Sequence, residues 1–356
     1  MAAADDAGAV AQSSLSFLDA AGDRLYYRGY DAVELARLAS FEEAAFLLWH
    51  GRLPDATELA TLHHELAAAR VLPSDTLAVA TALPRELSPV AAVRALLSAS
   101  PEQSDAIRLT GRIAALTAAV HRHRLGLPPM PSPAEHGQAG SLLALTIGGE
   151  RDAARVRALD AALILHLDLA FNASTYAARV AASTGADLAA AVAAALATLE
   201  GRLHGGASAE VLATLERIAS PQRATEFVAQ ALARKQRLAG FGHRHFKGID
   251  PRAVALKELS RELARDDERR LHDVAEALET AMAGARGLPP NVDLYAATLF
   301  HALGFPADLF VLLFAAARVV GWTAHALEQR AEGRVIWPAC EYVGAMPRPL
   351  PSRGNR

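Results

Sequence analysis

Apolar residues recur every three or four positions over most of the chain, a spacing that predicts helices rather than strands. The exception lies near the start. Residues 1–13 read as a frayed end, and residues 14–30 then read as strand, turn and strand. Leu15-Ser-Phe-Leu18 and Leu25-Tyr-Tyr27 flank a turn at Ala21-Gly22-Asp23. This predicts one small β-hairpin, the only sheet of note. Asp31–Ala39 and Ser40–Gly51 follow as short helices. Ser40 stands three residues before Glu43, the spacing of a capping box, and Gly51 and Pro54 mark the stop. From Thr57 to about Leu125 the pattern is helical, with breaks near Pro73 and Pro84, and Leu127–Ser141 reads as a proline-rich loop. No internal repeat or low-complexity linker divides the chain.

Two later segments are apolar on every side, as buried helices are. Ala161–Phe171 carries His166 and Asp168 inside such a run, and Asn172-Ala-Ser-Thr175 offers polar groups where that helix ends or bends. Asp187–Glu200 has Leu188, Val192 and Leu196 four apart with alanines between, which allows close packing on another helix or in a subunit interface. Asp250-Pro251 opens a further helix with an acidic cap and a proline in its first turn, its apolar face being Leu256, Leu259 and Leu263. Pro289-Pro-Asn-Val-Asp293 opens another, in which Asp293 reads as a cap. Leu309–Trp322 is strongly apolar with one cation, Arg318.

Composition narrows the class. The chain has 356 residues, enough for one large domain or two smaller ones; it is 52% hydrophobic and only 6% aromatic, a mix that favours helix. A net charge of −3 excludes a strongly basic nucleic-acid binder. The single cysteine, Cys340, rules out an intramolecular disulfide and suits a reducing compartment. The acidic start Met1-Ala-Ala-Ala-Asp-Asp lacks the features of a signal or transit peptide. The apolar segments read as too short and too charge-punctuated for a membrane span of roughly 20 residues. A cytoplasmic protein without membrane or nucleic-acid partners is expected. His63, His64, His121 and His123 lack carboxylate or cysteine partners at ligand spacing; they read as solvated surface, and no metal site is expected.

Candidate chemistry centres on Gly201-Arg-Leu-His-Gly-Gly-Ala-Ser208. His204 there reads either as a surface histidine beside a helix cap or as a proton-transfer group on a glycine turn. His166 and Asp168 need partners, since buried charge is costly alone; each other, a backbone group or a ligand would serve. Gly240-Phe-Gly-His-Arg-His-Phe-Lys-Gly248 looks superficially like a nucleotide loop, but no strand precedes it. Lys247 and Arg252 flank a helix N-terminus, which favours anions. Arg318 must reach solvent or meet a carboxylate of protein or ligand.

Taken in order, these phrases resemble the citrate synthase family. The resemblance rests on Tyr27-Arg-Gly-Tyr30, Leu163-Ile-Leu-His166, Asn172-Ala-Ser-Thr175, Leu203-His-Gly-Gly-Ala207 and Gly240-Phe-Gly-His-Arg244. It continues through Asp250-Pro-Arg252, Asn291-Val-Asp293, Ala317-Arg318, Gly321-Trp322 and Ala324-His325, over roughly 300 residues. It implies a mostly α, two-domain homodimer with a small N-terminal β-hairpin. The large helical domain would comprise residues 1–208 and 311–356, and the small one 209–310. The implied reaction condenses an acyl-CoA, acetyl- or propionyl-CoA, with a 2-oxo acid and hydrolyses the thioester. CoA is a co-substrate there, with no tightly bound cofactor. Asp293 would be the base, His204 would hydrogen-bond the thioester oxygen, and His243 would hold and protonate the oxo-acid carbonyl. Arg252 and Arg318 would grip carboxylates, with His166 and Asn172 as further substrate contacts and Lys247 meeting a CoA phosphate. A non-catalytic paralogue that binds CoA or a partner subunit is the alternative.

The chain departs from the family pattern where the oxo acid is held. A second histidine usually stands three residues after the position of His166; here it is Leu169. An Arg-Pro-Arg near the C-terminus, usually reaching into the partner's site, is Trp337-Pro338-Ala339 here. Arg202, His245, Arg334 and Arg348 are candidate compensations, and Ser208 replaces a usual asparagine. The 2-oxo acid is thus expected to be oxaloacetate or a less polar analogue, Leu169 and Trp337 suiting a less charged or bulkier apolar substituent.

Overall fold

The first helices end where short-range chemistry says they should. Ser40 caps α2 (Phe41–His50): its side chain accepts from Glu43 N, the Glu43 carboxylate accepts from Ser40 N, and Gly51 closes the helix at φ 77°. Asp31 caps α1 (Ala32–Leu38), its side chain accepting from Val33 N and Glu34 N. The computed structural model describes residues 11–99, 105–131, 136–148, 152–201, 204–346 and 350. Ahead of α1 lie β1 (Ser16–Asp19), β2 (Arg24–Tyr27) and β3 (Tyr30–Asp31), an antiparallel sheet in that order with Ser16 opposite Tyr27 and Tyr26 opposite Asp31. The expected hairpin thus gains a third strand. Arg28 (φ 49°) and Gly29 (φ 90°) form a tight two-residue turn that returns the chain at once, and two residues of strand leave no alternation to detect.

Next come α3 (Ala56–Ala69), α4 (Ser74–Ala82), α5 (Pro89–Ser98) and α6 (Ala106–Arg124), then α7 (Gln138–Thr146), α8 (Ala153–His166), α9 (Ala173–Ser183) and α10 (Leu188–Leu199). The second half adds α11 (Ala207–Ile218), α12 (Ala224–Ala233), α13 (Pro251–Leu263), α14 (Asp266–Arg286), α15 (Val292–Ala302) and α16 (Phe310–Glu332). The predicted loop at Leu127–Ser141 is therefore shorter than expected, because α7 already begins at Gln138. His121, expected in solvent, is buried on α6, and half-buried His123 lies 2.9 Å from Leu83 O. Burial along α6 thus reaches into its last turn at His121, while Arg122, His123 and Arg124 stay half-buried.

The predicted helix over Ala161–Phe171 stops at His166. Side chains from elsewhere in the chain take the carbonyls that a longer helix would have used. Arg318 Nε donates to His166 O (2.7 Å), and Tyr27 Oη donates to Asp168 O (3.2 Å). Asp168 consequently lies in a turn, not on a helix face.

Two groups of helices share one continuous core. In the first, α16 packs against α6, α8, α9 and α10; in the second, α11, α13 and α14 pack against α15. The segment Ala307–Glu332, which contains α16, is by length and composition apolar enough to cross a membrane, with a mean hydropathy of 1.6 over an 18-residue window. That differs from the expectation, but 89% of the window is buried inside the protein, so it serves as a core helix. One face of it is polar nonetheless: Arg318, Trp322, His325 and Gln329, three or four residues apart, are all buried.

Leu196 on α10 is fully buried, whereas Leu38 at the end of α1 is 86% exposed. Leu196→Ala should therefore destabilise the protein by about 2–5 kcal/mol, and Leu38→Ala should leave it nearly unchanged. Thermal melting of the two variants beside the parent checks this.

Candidate active site

His204 stands on the turn between α10 and α11. Gly205 N donates to Leu199 O (2.9 Å), and a Cβ at Gly205 would meet that same oxygen at 2.5 Å, so only glycine fits. The Ser174 main-chain N–H, in the first turn of α9, points at His204 Nε2 (3.3 Å), with Ser174 Oγ 2.9 Å from the same nitrogen. A main-chain N–H cannot accept, so Nε2 is the acceptor and Nδ1 carries the ring proton. Burial, helped by the Arg318 charge, lowers the His204 pKa to about 4. The ring is neutral and a donor.

His243 is prepared in a similar way. Gly240 and Gly242 adopt φ 88° and 71°. Their loop is pinned to the start of α15 by Gly242 N to Pro289 O (2.9 Å), Asn291 N to Gly240 O (3.0 Å) and Asn291 Nδ2 to Gly242 O (2.9 Å). The main-chain N–H groups of His245 and Phe246 both donate to His243 Nδ1 (3.1 Å each), which leaves the proton on Nε2. Burial, with Arg252 adding to it, lowers its pKa to about 4.

Asp293 lies in the first turn of α15 but does not cap it, contrary to expectation. Asn291 does, accepting from Asp293 N (3.0 Å). The Asp293 carboxylate is thus left available, and Ser208 Oγ donates to it (2.6 Å). Desolvation raises its pKa, making it a stronger base than a free carboxylate, against the opposing effects of Ser208 and Arg252.

Arg252 and Arg318 are both buried. Arg252 forms a two-pronged pair with Asp250 (Nε–Oδ1 3.0 Å, Nη2–Oδ2 2.7 Å), and its Nη1 has no partner among the described residues. Arg318 donates through Nε to His166 O, and its Nη2 is likewise unpartnered. Burial pulls the Arg318 pKa down to about 10, so the group is still a cation at neutral pH. His166 donates through Nδ1 to Ala162 O (2.7 Å), and burial lowers its pKa to about 3. Its buried Nε2 therefore presents an unused lone pair. Two cationic donors and one acceptor without partners among the described residues describe a site for a small anion that also carries a hydroxyl donor.

The remaining predicted positions are more peripheral. Asn172 caps α9, its Oδ1 accepting from Thr175 N (3.1 Å) and Ser174 Oγ (2.8 Å). Lys247, His245 and Arg334 are exposed, Leu169 is half-buried, and Trp337 is 88% exposed. Arg202 and Arg348 lie outside the described residues. Sequence reasoning overlooked Ser174, which orients His204, and it took Asp250 for a cap alone although it also neutralises Arg252. A hydroxyl two residues after the Asn172 cap and an acid two residues before a buried arginine were the available signals.

A sequence profile described as "Citrate synthase, C-terminal domain" matches residues 7–339. The chain belongs to the citrate synthase family. It is similar to the citrate synthase of Haloferax volcanii, with 40% identity over 354 residues covering 94% of this chain and 93% of the relative. It is also similar to a 2-methylcitrate synthase of Mycobacterium tuberculosis (35% identity; 92% and 86% covered). Among solved structures it resembles the ternary complex of citrate synthase from Thermoplasma acidophilum with carboxymethyl coenzyme A and oxaloacetate. That match has a TM-score of 0.91 and 30% identity, and covers 98% of this chain and 97% of the other. Citrate synthase-family membership makes the protein a condensing transferase and accounts for its mostly helical architecture.

Both histidines titrate near 4 when folded, against 6.5 for a free ring. Between those values the unfolded chain binds protons that the native form does not, so native stability falls as pH drops from 6.5 toward 4. His204→Gln and His243→Gln should each flatten that slope in melting curves taken across this window. An unchanged slope in both would contradict neutral, buried rings.

Proposed function

We propose that the protein condenses an acyl-CoA, acetyl- or propionyl-CoA, with a 2-oxo acid and then hydrolyses the thioester to release CoA. The observation that carries this is the pair of buried, unpartnered guanidinium N–H groups of Arg252 and Arg318. They lie in one electrostatic cluster with two neutral histidine donors and a desolvated aspartate. A thioester α-proton is too weakly acidic for a carboxylate alone, so the enolate needs a donor on its oxygen as it forms. Asp293 takes the proton while His204 Nδ1–H stabilises the oxygen. The enolate carbon then attacks the oxo carbonyl, which His243 Nε2–H polarises and protonates. Arg252 and Arg318 hold carboxylate oxygens, and the exposed Lys247 is available to a CoA phosphate. Neutral imidazoles suit this role, because a charged ring beside two guanidinium groups would be repelled.

On this reading residues 209–310 form the small domain and residues 1–208 with 311–356 the large one, closing over the substrates. The protein works as a cytoplasmic homodimer. Support for the dimer comes from the tail after α16, where Trp337, Tyr342 and Val343 are 88%, 72% and 88% exposed; such a strip suits a surface on a second copy. Leu169 and Trp337 replace two groups that the family pattern uses on the oxo acid. Each lost charge-assisted contact weakens binding by roughly 1.5–3 kcal/mol, so oxaloacetate should bind about a hundredfold or more weakly than in an unaltered site. A less polar 2-oxo acid fits better.

CoA release measured with acetyl- and propionyl-CoA across a panel of 2-oxo acids tests this. Best turnover is expected with an apolar-substituted oxo acid; best turnover with oxaloacetate at ordinary affinity would contradict the altered pocket. Asp293→Asn should lower kcat by about 10²–10⁴ without loss of folding. Absence of turnover with every pair would favour a non-catalytic CoA-binding paralogue.

A further inference from the structure

Behind the Arg318 site lies a second polar cluster that the proposed chemistry does not use. Arg179 on α9 is fully buried, and all five of its N–H groups are engaged. Nε donates to Gln329 Oε1 (2.9 Å). Nη1 donates to Glu328 Oε2 (2.6 Å) and His325 Nδ1 (3.2 Å). Nη2 donates to Glu332 Oε1 (2.7 Å) and Gln12 O (3.4 Å). Its guanidinium also lies 5.2 Å from the ring centre of Phe171. A group held at every donor is rigid.

That rigidity fixes the next member. A guanidinium can only donate, so His325 Nδ1 must accept, and the ring proton sits on Nε2. Nε2 donates to Asp168 Oδ2 (3.2 Å), which also accepts from Ser16 Oγ (2.5 Å). Asp168 is thereby oriented from two sides, leaving Oδ1 without a partner. The Asp168 turn rests directly on α16: a Cβ at Gly321, one turn beyond Arg318, would meet Asp168 Oδ1 at 2.7 Å. The same turn supplies His166 O to Arg318 Nε. Three positions on one face of α16, Arg318, Gly321 and His325, therefore hold one short turn, and Asp168 is the acid whose field acts on Arg318.

We infer that Arg179, His325 and Asp168 form a positioning relay that sets the direction of the free Arg318 Nη2–H and hence its grip on the oxo acid. The relay rests on the proposed role of Arg318. It explains why a buried carboxylate sits beside a substrate cation without forming a closed ion pair with it. Held by His325 and Ser16, Asp168 balances the Arg318 charge while leaving the Nη2 edge open to a ligand. Without His325, Asp168 is free to turn onto Arg318 and occupy that edge.

His325→Leu and His325→Gln discriminate. Glutamine keeps an N–H donor toward Asp168 and an acceptor toward Arg179; leucine keeps neither. The readouts are steady-state kinetics with acetyl-CoA and the best 2-oxo acid of the panel, melting temperature, and crystal structures of both variants. His325→Leu should raise KM for the oxo acid roughly tenfold, with KM for acetyl-CoA unchanged. In its structure Asp168 should turn toward Arg318 Nη2. His325→Gln should restore both the affinity and the parental Asp168 orientation. A purely structural histidine would instead lower the melting temperature with no selective change in oxo-acid KM, and Asp168 would stay in place in the leucine variant; that result would overturn the relay. A glutamine variant no better than the leucine variant would do the same. Should the parent turn over no substrate pair, the catalytic reading fails, and the Asp168 and Arg318 orientations in the two crystal structures still decide the relay.

Discussion

Two guanidinium groups, Arg252 and Arg318, are buried in this protein with one N–H edge each left without a partner among the described residues, and much of the structure serves to keep them so. A buried guanidinium is costly to desolvate and is tolerated only when its N–H groups find partners. Arg252 donates two bonds to Asp250 and Arg318 donates one to a main-chain carbonyl, yet each retains an edge without a partner among the described residues. Within a folded core such edges are maintained only if the surroundings are too rigid to collapse onto them. That rigidity comes from the Asp250 cap of α13, the turn after α8 and the polar face of α16.

Burial, aided by the same charges, sets the protonation of the neighbouring histidines. Buried imidazoles lose affinity for protons, and two nearby guanidinium groups reduce it further, so His204, His243 and His166 are neutral where free histidine would begin to titrate. Main-chain groups then choose the tautomers: N–H donors at His204 and His243, and the Ala162 carbonyl at His166. Asp293, desolvated and relieved of capping by Asn291, moves the other way. Neutral donors and a strengthened base thus follow from one cause, the burial of these groups away from water, which the Arg252 charge aids at His243 and opposes at Asp293.

Features set by near neighbours in the chain were legible from sequence. The Ser40–Glu43 capping box, the Asp250-Pro251 opening of α13 and the glycine turn at His204 depend on residues a few positions apart, and they stand where spacing predicts. Features set by distant partners were not. Helix α8 ends at His166 because Arg318 and Tyr27 claim the carbonyls beyond it, and His121 is buried because other helices cover the end of α6. One near-neighbour feature was also misread: Asn291, two residues before Asp293, takes the capping role that the sequence left to Asp293. In the site, the motif phrases named the residue types, but tautomer, orphaned donors and the Asp250 pairing emerge only in three dimensions.

The most direct measurement is a crystal structure of the protein with a 2-oxo acid and carboxymethyl coenzyme A. Carboxylate oxygens should lie about 3 Å from Arg252 Nη1 and Arg318 Nη2, with the oxo group facing His243 Nε2. An oxo acid bound elsewhere, with both guanidinium edges still unpartnered, would contradict the central role assigned to these two cations.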